Sequence, residues 1–205
     1  MKIYFSPASP FVRKCMAVAH ETGLVDRIEK LPSAANPVNR DRTVIANNPL
    51  GQVPTLITDD GLALYDSRVI CEYLNDLGGG KLFPAAGKAR WQALADQALA
   101  DGILGAALLA RYEITLRPEP SRWSDWVDGQ MGKVADALAR FEQQAASFGD
   151  RTDIGTLTLG CALGYLDFRY ADYDWRASHP ACAQWYATFS QRPSMRDTAP
   201  EAPRG

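Results

Sequence analysis

The spacing of apolar residues divides this chain near residue 78, with strand-like and helical stretches alternating before it and helical spacing almost throughout after it. "KIYF" (2–5) reads as a strand. Ser9 and Pro10 then supply an N-cap and a first-turn proline. Val12, Cys15, Met16 and Ala19 follow on one helical face, with Arg13, Lys14 and Glu21 on the other, until Gly23 stops the run. Residues 25–31 suit a second strand and 38–47 a short helix. "VPTLIT" and "LALY", joined by "DDG", form a hairpin. Asp66-Ser67 open a further helix with Val69, Ile70, Tyr73 and Leu74 expected on its inner face. A βαβ half followed by a ββα half predicts a layered α/β domain of thioredoxin-like size over residues 1–77.

"GGGKLFPAAGKA" begins a linker, 78–88, and residues 89–205 read as an all-helical domain with helices near 89–116, 121–147, 153–170 and 180–191. Pro118 and Pro120 separate the first pair, Gly149 ends the second helix and Pro193 stops the last. The third, with "LTLGCALGYL", is apolar nearly all round and is expected at the centre of the domain. Asp153 is its expected N-cap. The tail "APEAPRG" reads as a loose terminus.

Composition narrows the possible functions. The chain is 46% hydrophobic, 22% charged and 10% aromatic with net charge −2, ordinary globular values, and it carries no long run of one sign. Neither a nucleic-acid groove nor a membrane anchor is expected. "ALADQALADGILGAALLA" (93–110) carries Asp96 and Asp101, which favours a buried bundle helix over a lipid-facing span. The chain opens at once on a strand-like run and its four cysteines form no CxxC pair, so the expected setting is the reducing cytoplasm, without disulfides or a metal cluster. Cys15, Cys71, Cys161 and Cys182 all fall in helical patterns and read as core residues, while His20 and His179 read as surface or capping residues.

Three separated pieces carry candidate chemistry. Ser9 opens a helix whose free N–H groups and dipole favour a nearby anion. "NNPLGQVPTL" (47–56) places Pro54 at a strand start; a cis Val53-Pro54 bond leaves the Val53 N–H and C=O unpaired, an edge to which a short extended peptide can add. "YDSRVICEYL" (65–74) opens a second helix, where the Ser67 hydroxyl and N–H suit a carboxylate and Asp66 an ammonium group. An anion hole, a peptide edge and an amino-acid clamp together suit a tripeptide thiol.

With these residues in view, the whole chain resembles a cytosolic glutathione S-transferase, most closely the small bacterial members that begin "SPFVRK". The resemblance rests on "SPASPFVRK", "NPLGQVPTL", "DSRVICEYL" and the "GGGKLFP" linker, in that order and spacing. It implies a thioredoxin-like domain joined to a helical one, a homodimer, and glutathione as co-substrate with no metal. The implied activity is transfer of the glutathione thiolate to small hydrophobic electrophiles. A related isomerase, dehalogenase, peroxidase or ether-cleaving enzyme, or a non-catalytic relative, is the alternative. The family's Ser/Thr-x-x-Asp cap of the central helix stands here as "DIGT", with Asp153 and Thr156 exchanged, and Asp153 is still expected to cap.

The resemblance puts Ser9 where cysteine-type relatives carry their cysteine. A serine cannot form a mixed disulfide, but it can donate a hydrogen bond to a thiolate. Lowering a thiol pKa of about 8.5 by about two units needs roughly 2.7 kcal/mol. One charge-assisted hydrogen bond, about 1.5–3 kcal/mol, together with the helix dipole is enough. Taken alone Ser9 is equally a plain N-cap, and Ser6 is the rival hydroxyl. Gln52 and Arg40 are implied at the glycine carboxylate, or else are solvated. Asp101 is implied at the partner subunit's γ-glutamyl amine, or else makes a surface ion pair. Phe11, Arg111 and Tyr112 are the candidates for contacting the electrophile.

Overall fold

A computed structural model describes residues 1–33 and 35–200 and divides the chain into two compact units, Met1–Ala85 with the segment starting at Pro193, and Ala86–Arg192. In the first unit, β1 (Lys2–Phe5) pairs in parallel with β2 (Glu29–Pro32) and antiparallel with β3 (Thr55–Ile57), which pairs with β4 (Ala63–Leu64). The sheet order is β2-β1-β3-β4, the thioredoxin-like arrangement expected. Adjacent Ile3 and Tyr4 are both buried although their side chains point to opposite sides of the strand, so β1 is covered on both faces. Tyr4 Oη donates to the Thr43 carbonyl 3.0 Å away, which ties α2 (Arg42–Ile45) over one face. Helices α1 (Pro10–Glu21) and α3 (Ser67–Leu77) pack on each other, with Val12, Cys15, Met16, Ile70 and Leu74 buried between the elements.

Several elements depart from the pattern read off the sequence. The strand expected over 25–31 begins only at Glu29, because Val25–Arg27 form a 3₁₀ turn, and the helix expected over 38–47 shrinks to the four residues of α2. On α1 the expected polar face is buried: Lys14 is fully covered, and Arg13, 6% exposed, donates from Nη2 to the Met195 carbonyl at 3.0 Å. That carbonyl lies in α9 (Pro193–Arg196), a short helix that Pro193 opens after the preceding helix has already ended at Phe189; Ser194 Oγ donates to Glu21 Oε1 at 2.5 Å. The sequence division ran the helical domain through residue 205, but these contacts group the segment from Pro193 with the first unit. On α3 Val69 is exposed and Cys71 takes the inner place. The linker is tethered rather than loose: Leu82 N–H donates to Asn75 Oδ1 at 2.9 Å, and Leu82 and Phe83 are buried. The tail expected to be loose lies mostly outside the described residues.

The second unit consists of α4 (Gly87–Thr115), α5 (Ser124–Ala145), α6 (Ile154–Arg169), α7 (Trp175–Ser178) and α8 (Pro180–Phe189). By length and composition α4 could cross a membrane, but it packs on α5 and α6 as a core helix and carries Asp96 on its buried side. Arg151 joins Asp96 at 2.7 Å and Asp153 at 2.5 Å. Helix α6 is buried from Ile154 to Leu166, the expected centre of the unit. Its start is a reciprocal capping box: Asp153 Oδ1 accepts from the Gly155 and Thr156 N–H groups at 2.9 and 3.1 Å, and Thr156 Oγ1 accepts from the Asp153 N–H at 3.0 Å. The exchanged Asp and Thr therefore still cap. A Cβ on Gly155 would lie 2.7 Å from Asp96 Cβ, so the glycine lets α6 approach α4. His179, expected as a surface or capping residue, takes the capping place between α7 and α8, buried, with Nδ1 2.8 Å from the Trp175 carbonyl.

Candidate functional site

A cavity of about 370 Å³ opens in the first unit where three loop-to-helix or loop-to-strand junctions converge. Phe11 comes from the first turn of α1, Gln52, Val53 and Pro54 from the loop before β3, and Asp66 and Ser67 from the start of α3. Chain connectivity explains the convergence, because these junctions all lie at one end of the sheet. Asn48, Leu50 and Tyr65 also line the cavity and were not singled out from the sequence.

The loop before β3 is shaped by its own polar network. Asn48, almost fully buried, donates from Nδ2 to Thr55 Oγ1 at 2.9 Å and to the Gln52 carbonyl at 3.3 Å, and its Oδ1 accepts from the Leu50 N–H at 3.1 Å. Thr55 Oγ1 donates to the same Gln52 carbonyl at 2.8 Å. Gly51 has φ +64, and a Cβ there would meet Ile45 Cγ1 at 3.0 Å, so this turn requires glycine. The Val53-Pro54 peptide is cis, as expected, and the Tyr65-Asp66 peptide is cis as well. Among the described residues neither the Val53 N–H nor its C=O has a hydrogen-bond partner. The signal that could have found Asn48 is its place in "NNPLGQVP": an Asn before Pro-Leu-Gly is well placed to bond the turn that follows.

At the start of α3, Asp66 is the N-cap, its Oδ1 accepting from the Arg68 N–H at 2.9 Å and its Oδ2 lying 3.2 Å from Arg68 Nη2. Burial pushes its carboxyl up, but the Arg68 N–H and guanidinium and the Lys14 charge outweigh this and hold it below the usual carboxylate range. Asp66 is thus a fixed anion on an exposed rim, beside the buried Ser67 at the first position of an eleven-residue helix. A rim anion next to helix N–H groups can receive an ammonium and a carboxylate from one ligand.

The remaining candidates fall in several places. Ser9 does not line this cavity; it caps α1, half-buried, with Oγ accepting from the Val12 N–H at 3.3 Å. Among the described residues its hydroxyl proton is not donated to any acceptor. Ser6 lines a different cavity of about 200 Å³, with Arg13, His20 and Lys30. Arg40 is exposed and braces the loop from outside, donating from Nη2 to the Pro49 carbonyl at 2.9 Å. Asp101, Arg111 and Tyr112 lie on α4 in the helical unit, all half-buried. Burial pushes the Tyr112 phenol up, against the pull of the Arg111 charge. Arg111 lines a cavity of about 420 Å³ in that unit.

All four cysteines are free and buried. Cys15 Sγ donates to the Ser67 carbonyl at 3.7 Å and lies 3.9 Å from Cys71 Sγ. The Cys182 thiol is pushed up to about 12, first by burial and then by the Glu142 charge, which leaves it an unreactive core thiol. Among the described residues no group of three His, Cys, Asp or Glu side chains is placed to hold a metal ion.

Comparison with known proteins adds an independent line. Residues 8–77 match the glutathione S-transferase N-terminal domain and residues 124–188 the glutathione S-transferase C-terminal domain. The Escherichia coli (strain K12) uncharacterized GST-like protein YibF is 31% identical over 98% of each chain. A glutathione transferase family member from Pseudomonas fluorescens Pf-5, crystallised with bound glutathione, is 46% identical over 98% of this chain and 99% of its own, with a TM-score of 0.95. A glutathione S-transferase from Methylobacillus flagellatus KT with GSH bound is 36% identical over 98% and 99%, with a TM-score of 0.86.

Proposed function

Because the chain belongs to the glutathione S-transferase family, we propose that it binds glutathione in the cavity of the first unit and transfers the thiolate to small electrophiles. The observation that carries this reading is the convergence of the Val53-Pro54 loop and the Asp66-Ser67 helix start on one cavity. A γ-glutamyl group needs both an ammonium acceptor and a carboxylate donor; Asp66 supplies the first, and Ser67 with the α3 N–H groups the second. The unpartnered Val53 N–H and C=O pair the cysteinyl backbone, and Gln52 meets the glycine carboxylate from the exposed side. Arg40 helps by holding the Pro49 carbonyl in place.

Bound glutathione supplies the nucleophilic sulfur. Ser9 holds that sulfur as a thiolate by donating the proton its hydroxyl has free, while its lone pair accepts from Val12. Capping and activation therefore use different atoms of one hydroxyl. A serine here excludes a mixed disulfide with the protein and directs the site to conjugation. In this reading the chain is one of the bacterial serine-type "SPFVRK" members, a cytoplasmic homodimer acting in detoxification. Asp101 reaches the partner's glutathione, and Phe11, on the lining of the first unit's cavity, contacts the electrophile.

Calorimetric titration with glutathione, followed by turnover screens with aryl halides, hydroperoxides and isothiocyanates, tests the proposal. Binding and turnover of at least one class are expected. No binding at millimolar glutathione refutes the glutathione site, and binding without turnover in any class refutes the transferase activity.

A further inference from the structure

The ends of α4 and α6 and the residues that follow α6 enclose the helical unit's cavity of about 420 Å³, within the size range of small-molecule sites. Ile114, Met131 and Tyr170 give it apolar surface, and Arg111 and Arg169 both line it. Two guanidinium groups on one cavity repel each other. Burial, and then the Arg111 charge, lower the Arg169 pKa from its ordinary value.

What surrounds these arginines leaves their charge unanswered. Arg117, Arg151 and Arg176 of the same unit each pair with a carboxylate. Among the described residues neither Arg111 nor Arg169 forms such a pair, and Arg169 Nε is buried without a hydrogen-bond partner. The Arg169 guanidinium lies over the Phe168 ring, 3.9 Å from its centroid. Asp172 is the acidic residue on the lining; it is exposed and forms no ion pair with either arginine among the described residues. The neighbouring phenols do not compensate. Tyr170 donates its hydroxyl to the Ala107 carbonyl at 2.5 Å, and burial pushes Tyr165, Tyr170 and Tyr173 all up, so they stay neutral. Two cations beside apolar and aromatic surface are the complement of a small molecule with an anionic group on an aromatic body.

We propose that this cavity binds small aromatic carboxylates, with Arg111 and Arg169 meeting the carboxylate and Ile114, Met131 and Tyr170 the ring. The site belongs to the helical unit alone and stands apart from the glutathione cavity of the first unit.

The test compares trans-cinnamate with its neutral isostere cinnamamide by calorimetry on the intact protein, with glutathione titrated in parallel. Cinnamate is expected to bind at least about tenfold more tightly than the amide, the factor one charge-assisted hydrogen bond supports. Arg169→Gln and Arg111→Gln should each abolish most of that preference without weakening the amide, and Arg169→Lys should restore part of it. Circular dichroism melts check that each variant is folded, and the Lys variant keeps the test decisive if a Gln variant is not. Equal binding of acid and amide, no binding of either at millimolar concentration, or a preference that survives both Gln variants overturns the proposal. Glutathione binding is read separately. Its failure in the unmodified protein sinks the transferase reading while leaving the carboxylate result standing, and the reverse pattern sinks only the carboxylate site.

Discussion

Replacing Ser9 by glycine and by alanine separates the two tasks given to one hydroxyl. Both changes remove the side-chain acceptor for the Val12 N–H and the donor offered to the sulfur. Glycine is nearly as good an N-cap as serine, costing a few tenths of a kcal/mol, whereas alanine is poor. The Oγ to Val12 N distance of 3.3 Å is long for a hydrogen bond, which puts the alanine cost at the low end, about 0.5–1 kcal/mol. For a chain of this size that lowers the melting temperature by about 1–4 °C, with a smaller fall for glycine. The donor to the thiolate is worth about 1.5–3 kcal/mol, so either variant should raise the bound thiol's pKa by about one to two units. The assay is ultraviolet absorbance of the bound thiolate against pH, with the pH profile of kcat/KM for an aryl halide. At neutral pH both variants should turn over about three- to twenty-five-fold more slowly, as the thiolate fraction falls, converging on the native rate above the raised pKa. A Ser9→Gly profile that superimposes on the native one refutes the assignment of Ser9, and equal losses of stability in both variants refute the capping argument.

Two further outcomes follow from particular contacts. Asn48→Ala strands the Leu50 N–H and loosens the Gln52 carbonyl and Thr55 hydroxyl in a buried network; it should cost about 2–3 kcal/mol in urea unfolding and weaken glutathione binding by about tenfold, and unchanged affinity in the folded variant would remove this loop from the site. Glu142 accepts from the Ala181 and Cys182 N–H groups at 2.8 and 2.9 Å at the start of α8; burial raises its pKa, but these bonds outweigh it and hold the carboxyl below 4.5. A depressed folded pKa stabilises fully above the unfolded value and is lost as pH falls through the folded one, so Glu142→Gln should melt lower at neutral pH, with the gap to the native protein closing as pH falls below 4.5. A difference independent of pH would show that the two bonds do not depend on the charge.

Much of the fold could be read directly from local pattern. Ser9-Pro10, Asp66-Ser67 and Asp153 each announce a helix start because a cap depends only on residues within one turn, and all three cap as expected. The hairpin around Asp60-Gly61 and the buried α6 follow from turn chemistry and from apolar residues on every side. The errors arose where a distant segment decides burial. Arg13 and Lys14 read as the polar side of an amphipathic helix, yet both are buried and the Met195 carbonyl receives Arg13 from 182 residues away. The expected strand at 25–31 yields its first half to a 3₁₀ turn.

The candidate site divides in the same way. Sequence alone determined that the chain has an α/β part and an all-helical part, where its main helices begin, and which residue types stand at the Val53-Pro54 loop and the Asp66-Ser67 helix start. Those properties come from interactions within a few residues, and a single sequence carries them. Only the tertiary structure decided that these two junctions and Phe11 line one cavity, that Asn48 holds the loop in shape, and that Ser6 faces a different cavity. It also decided that Arg111 and Arg169 stand together without a carboxylate between them. Positions 111 and 169 are brought together by the packing of α4 against α6. The repulsion between these two half-buried like charges is a property of that packing, and it exists only after the helices have met.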